Sequence, residues 1–136
     1  MSEGLSKEEK AALRDTMRER KRAKDVDGGQ LLKEALEALP EADRALGEVV
    51  CAVIREAAPE LTPRTFYGMP AYAGAGGKVV VFFQGGTKFK TRYSTVGFSD
   101  MAKLDDGPMW PTGFALKEWT PEVEARLREL VKRAAG

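Results

Sequence analysis

The segment Lys78–Gln84, KVVVFFQ, limits the fold more than any other part of the chain. Its valines and phenylalanines are β-branched and aromatic, and side chains on a strand alternate between two faces. A run that is apolar on both faces predicts a central strand covered on both sides, either by helices or by a binding partner. Gly85-Gly86 then reads as a hairpin turn. Thr87–Phe98 reads as the returning strand, with Lys88, Lys90 and Arg92 on one face and Phe89, Thr91 and Tyr93 on the other. Thr65-Phe66-Tyr67 predicts a short strand upstream. Trp110–Leu116, with Pro111 and Gly113, predicts an edge strand downstream, after a helical turn and loop over residues 99–109.

Helical periodicity flanks this block. Leu31, Leu32, Ala35, Leu36 and Leu39 share a helical stripe over residues 30–39. Pro40 opens a longer helix with the stripe Leu46, Val49, Val50, Val53, Ile54 and Ala57, ended by Pro59 and Pro63. Thr120 and Pro121 suit the N-cap and first turn of a last helix whose inner face is Val123, Leu127, Leu130, Val131 and Ala134. Residues 6–24 predict one further helix: Ser6 and Glu9 make a capping box, and acids come early and bases late. Its RERKRAK run reads as a solvated helix end, and Asp27-Gly28-Gly29 ends it. Strands are thus grouped, not interleaved with helices. The expected class is α+β, a small antiparallel sheet of three to four strands packed by N-terminal helices and a C-terminal helix. Residues 1–29 are expected as a charged helical arm and residues 30–136 as one domain.

The chain has no histidine. Ser-His-Asp and Cys-His catalysis, and metal sites built on imidazole, are therefore excluded within one chain. A single cysteine, Cys51, excludes an internal disulfide and reads as a small structural residue on the flank of its helix stripe. The net charge of +1 does not mark a nucleic-acid binder. The polar opening MSEGLSKEEK and the lack of a long apolar run make a cytoplasmic location the expectation, with no membrane contact.

Charge is unevenly placed. Residues 65–98 hold four bases and no acid. The bases are Lys78, Lys88, Lys90 and Arg92. An alternating basic face suits an anionic ligand or an acidic partner, with Tyr93, Trp110 and Phe114 as neighbouring aromatic surface. The plainer reading is a solvated outer face, or one paired with acids of the terminal helices. In YGMPAY, Pro70 drives Met69 to an extended conformation. A rigid kink, with a cis peptide as one way to form it, holds Tyr67 near Tyr72 as a pocket wall or simply turns the chain between strands. Gly74–Gly77, GAGG, precedes a strand and reads as a flexible hairpin tip, not a phosphate loop. Asp100, Asp105 and Asp106 are a weak alternative for a hard cation, because the calcium-loop spacing is missing.

AAPELTPRTFYGMPAY, followed by GKVVVFFQGGTKFKTRYSTVGF, resembles the YdhG-like family of small bacterial proteins. The family's marks are a helix ending in EAAPE, a YGMPAY-type segment and a strand that opens with Gly-Lys. The likeness spans roughly residues 31–134 and implies a compact α+β domain. Some members are described as frataxin-like intracellular iron chaperones, which implies iron as cargo, held here by Asp105-Asp106 or by Glu41, Asp43 and Glu48. The expected function is a non-enzymatic binding or carrier protein of this family, without a catalytic residue. Its expected contacts are Tyr67, Met69, Pro70, Tyr72, Lys78, Lys88, Lys90, Arg92, Tyr93 and Trp110. The alternatives are the iron chaperone, a nucleic-acid-binding module, an enzyme using Tyr67, Tyr72 and Lys78 as acid–base groups, and a homodimer in place of a foreign partner.

Overall fold

The computed structural model describes residues 27–136. The helix expected over residues 6–24, and with it most of the charged arm, lies outside the described residues. Asp27 accepts a hydrogen bond from Gln30 N–H at 2.8 Å and caps helix α1, Gly28–Glu37. Asp27-Gly28-Gly29 therefore opens a helix, where the sequence predicts the end of one. Helix α2 spans Glu41–Ala57, and its first turn holds Glu41 and Asp43, which suits the positive end of the helix dipole. Five strands follow: β1 Thr62–Phe66, β2 Met69–Ala73, β3 Val79–Gln84, β4 Ser94–Phe98 and β5 Gly113–Leu116. Helix α3, Pro121–Ala135, closes the chain, capped by Thr120, whose hydroxyl accepts from Val123 N–H.

The architecture is α+β. The sheet is an antiparallel meander in the order β1-β2-β3-β4-β5 and has five strands, not three to four. KVVVFFQ is the middle strand, as its composition demands: Val81 is fully buried and Phe83 nearly so. Tyr72 faces Val81, Val81 faces Phe98, and Phe83 faces Val96, so these five side chains share one face. They pack with Leu32 and Leu36 of α1, Val50 and Ile54 of α2, and Leu127 and Val131 of α3 in one core. The other face carries Phe66 and Phe82, whose ring centroids lie 5.2 Å apart. Phe82 lies flat across Gly97, where any side chain would collide with its ring. Among the described residues no helix is long and apolar enough to cross a membrane.

Three local expectations change. The first strand is Thr62–Phe66, and it ends before Tyr67. The segment YGMPAY is no kink, because all peptide bonds of the described residues are trans. Tyr67 and Gly68, both at positive φ, form the two-residue turn of the β1–β2 hairpin. Pro70 sits inside β2, and pairing with β3 begins only at Ala71, because proline has no N–H to offer that ladder. Finally, Gly85-Gly86 is not a hairpin turn and Thr87–Phe98 is not one strand. Gly86–Phe89 is a single helical turn, and β4 starts at Ser94.

Phe83 is central in the sheet and almost completely buried in the core shared with the helices. Phe83→Ala should lower unfolding stability by about 3–5 kcal/mol in urea titration. A loss below about 1 kcal/mol would mean that the core does not centre on β3.

Candidate functional site

The loop between β3 and β4 is built around a carboxylate from another element. Asp43 of α2 is buried, with 3% of its surface exposed. Its Oδ1 accepts from Thr87 N–H at 3.1 Å and its Oδ2 from Lys88 N–H at 2.9 Å. Both donors belong to the free N-terminal amides of the helical turn Gly86–Phe89. A carboxylate at a helix start meets aligned N–H dipoles, which compensates its removal from water. Asp43 sits so close that Gly85 can carry no side chain. The loop then closes on itself: Gly86 N–H donates to Ser94 Oγ, Thr91 N–H to Gly86 C=O, and the Thr91 hydroxyl to Tyr93 C=O.

This frame leaves the side chains of residues 87–93 exposed. Lys88 Nζ lies 5.5 Å from the Phe89 ring centroid, and the Arg92 guanidinium lies 5.4 Å from that of Tyr93. Ion pairs among the described residues join Arg128 to Glu56 and Glu124, and none engages Lys88, Lys90 or Arg92. The three bases do not alternate on a strand, as the sequence suggests. They project from one fixed loop, so the basic surface lies at an end of the sheet and not on its face.

The register sorts the remaining candidates between the two ends of the sheet. Ala71 faces Phe82, so Met69 and the Tyr67 turn lie at the end where β3 finishes and the basic loop begins. Lys78 precedes β3 and therefore lies at the other end, roughly 20 Å away along six strand residues. Trp110 is also at that end, since β5 begins opposite Gly97 and finishes opposite Ser94. Pro70 and Tyr72 are buried and face the core. The structure therefore brings Tyr67, Met69, Lys88, Lys90, Arg92 and Tyr93 to one end. It leaves out Lys78, Trp110, Pro70 and Tyr72. Phe89, at 43% exposure, joins the site, although the sequence assigns it to the opposite face of a strand.

Tyr67 and Tyr72 make no common wall, and Tyr67, Tyr72 and Lys78 form no acid–base group. Tyr72 instead has its hydroxyl in the core, accepting from Arg55 Nη1 at 3.2 Å. Burial pushes Tyr72 from 10.0 up to about 12, against the opposing pull of Arg55. Burial also pushes the neighbouring Cys51 thiol from 9.0 up to about 12. Neither ionises near neutral pH, so neither is a ready nucleophile. Among the described residues, no group of three or more His, Cys, Asp or Glu side chains gathers where it could hold a metal ion. Both oxygens of Asp43 are engaged by backbone, and Asp100, Asp105 and Asp106 are exposed on the loop before β5. With this geometry in hand, comparison with family models, curated proteins and solved structures returns no match.

Two outcomes follow. Asp43→Ala leaves the Thr87 and Lys88 amides without their acceptor, so stability should fall by about 2–3 kcal/mol. Hydrogen exchange at those two amides should accelerate more than at β3, and unchanged protection would show that the loop is held by other contacts. The second concerns alkaline pH. Cys51 and Tyr72 have raised pKa values in the folded chain, so the unfolded chain loses these protons first as pH rises. Their contribution is complete below about pH 9 and disappears as pH climbs through about 12. Chemical denaturation across that window should show a shallower decline for Cys51→Ala than for the parent, and parallel curves would contradict the buried placement.

Proposed function

We propose that the chain is a non-enzymatic binding or carrier protein of the YdhG-like kind, which engages an anionic ligand or an acidic partner through the end of the sheet holding residues 67–69 and 86–93. The carrying observation is the basic loop itself. Lys88, Lys90 and Arg92 are exposed and have no ion-pair partner among the described residues, on a loop that a buried carboxylate fastens from behind. A fixed loop does not lose backbone freedom when it meets a partner, which favours binding. The interleaved Phe89 and Tyr93 add flat apolar surface beside the charges.

Backbone strain supports the same location. Tyr67 and Lys90 are the positive-φ residues other than glycine among the described residues, at 50° and 58°. Each costs about 1–2 kcal/mol relative to the right-handed region, and such outliers cluster at binding sites. Both lie at this end of the sheet, and Tyr67 is 49% exposed. Asparagine or glycine would serve the turn better. The Tyr67 ring packs edge-on against Phe66 at 4.6 Å between centroids and stays half exposed, which leaves it surface to offer a partner.

Thermal-shift and titration experiments with pyrophosphate, ATP, polyglutamate and a single-stranded oligonucleotide test this reading. At least one probe should stabilise the native chain, and Lys88→Glu with Lys90→Glu and Arg92→Glu should remove that shift. Tyr67→Asn should raise the melting temperature of the free chain while weakening the same probe. Affinity confined to the oligonucleotide, with a steep salt slope, would move the assignment to nucleic acid. No shift with any probe would sink the proposal.

A further inference from the structure

Strand β5 leaves one side of the sheet open. Phe98 N–H donates to Thr112 C=O at 2.7 Å, so residues 98 and 112 form a hydrogen-bonded pair. Bonded and non-bonded pairs alternate along an antiparallel ladder. Val96–Phe114 and Ser94–Leu116 are then bonded, whereas Gly97–Gly113 and Thr95–Ala115 are not. Gly113 and Ala115 therefore aim their N–H and C=O groups away from β4. Both residues are exposed. The strand, GFAL, carries none of the charges or prolines that commonly guard a sheet edge.

Helix α3 runs beside this edge. Between the two lies a groove of about 320 Å³ lined by Phe114, Leu116, Val123, Leu127 and Leu130, with Arg126 as its one charged lining residue. The Arg126 guanidinium lies 5.5 Å from the Phe114 ring centroid, and among the described residues no carboxylate pairs with it. A second hollow of about 290 Å³ shares Phe114, Arg126 and Leu130 with it and continues to Trp110, with Asp106, Glu129 and Arg133 as its further charged lining.

We propose that this groove takes an extended acidic-apolar peptide segment of a partner protein as an added strand. The peptide backbone bonds to Gly113 and Ala115. One of its apolar side chains enters between Phe114, Val123 and Leu130. An Asp or Glu two residues away meets Arg126. The argument for a peptide is geometric. Gly113 and Ala115 repeat a donor and an acceptor about 6.8 Å apart, which is the spacing of alternate residues in another strand. The argument for an acidic one is that a single cation, near an aromatic ring and in no ion pair among the described residues, flanks an otherwise apolar groove. β5 is only four residues long, so main-chain pairing is brief and the groove side chains carry the selectivity. This site is separate from the basic loop and does not depend on it.

The test is selection of a displayed random octapeptide library on the full chain at physiological salt. Enriched sequences should alternate apolar and polar residues and carry an acid two positions from an apolar anchor. Arg126→Glu should weaken a synthetic version roughly tenfold or more. Ala115→Pro removes an outward N–H without touching the β4 ladder and should weaken it comparably, provided that circular dichroism shows both variants folded. Lys90→Glu should leave it unchanged. No enriched sequence, or peptides indifferent to both substitutions, overturns the proposal. A homodimer in sedimentation that Ala115→Pro dissociates also overturns it and assigns the edge to a second copy of the chain.

Discussion

The contact between the Asp43 carboxylate and the amides of Thr87 and Lys88 governs the end of the sheet where β3 finishes and β4 begins. It joins the first turn of α2 to the link between β3 and β4. A buried carboxylate needs compensation, and here the start of its own helix and the start of the one-turn helix both supply it. Once Thr87 and Lys88 turn their N–H groups toward Asp43, they cannot enter a strand ladder. The chain must therefore leave the sheet after Gln84 and return at Ser94. The basic residues are displaced from the sheet face to its end by that one side chain.

This explains what could be read locally and what could not. KVVVFFQ announced a central strand, because an apolar run on both faces is stable only when covered on both. The stripes of α1, α2 and α3 were equally plain, since helical periodicity needs no knowledge of a partner. The segment TKFKTRY was misleading for a physical reason. It alternates charge and ring as a strand does, but the acceptor that bends it into a helical turn lies more than forty residues earlier in the chain. Nothing within the segment records that. Pro70 misled differently. A proline between two tyrosines suggests a kink, yet the hairpin places it at a position where β2 has not yet begun to pair with β3. The Tyr67-Gly68 turn was legible in principle, because a residue followed by glycine between two β-prone runs is the hairpin signal. The tyrosine concealed it, since asparagine or aspartate is the usual residue there.

The register matters more for function than the list of candidate residues does. A strand of six residues separates its ends by roughly 20 Å. Lys78 and Lys88 look like members of one basic set in the sequence, but β3 holds them apart. A small ligand cannot touch both. The same logic unites Tyr67 with the basic loop, although some twenty residues separate them, because an antiparallel meander returns to the same end at every second connection. On the proposed reading, Tyr67, Lys88, Lys90 and Arg92 form one surface because of topology, with no direct bond between the hairpin and the loop required.

The titratable groups of the core point in the same direction. Cys51 and Tyr72 lie in the core, and burial holds both protonated far above neutral pH. Arg55 is committed to the Tyr72 hydroxyl, and Asp43 to backbone amides. Among the described residues, no buried side-chain nitrogen or oxygen is left without a hydrogen-bond partner. Lys88, Lys90, Arg92 and Arg126, which form no ion pair among the described residues, lie outside the core. A basic surface beside aromatic rings can attract and orient a partner, and on this ground binding is the role proposed for the exposed sites of this fold.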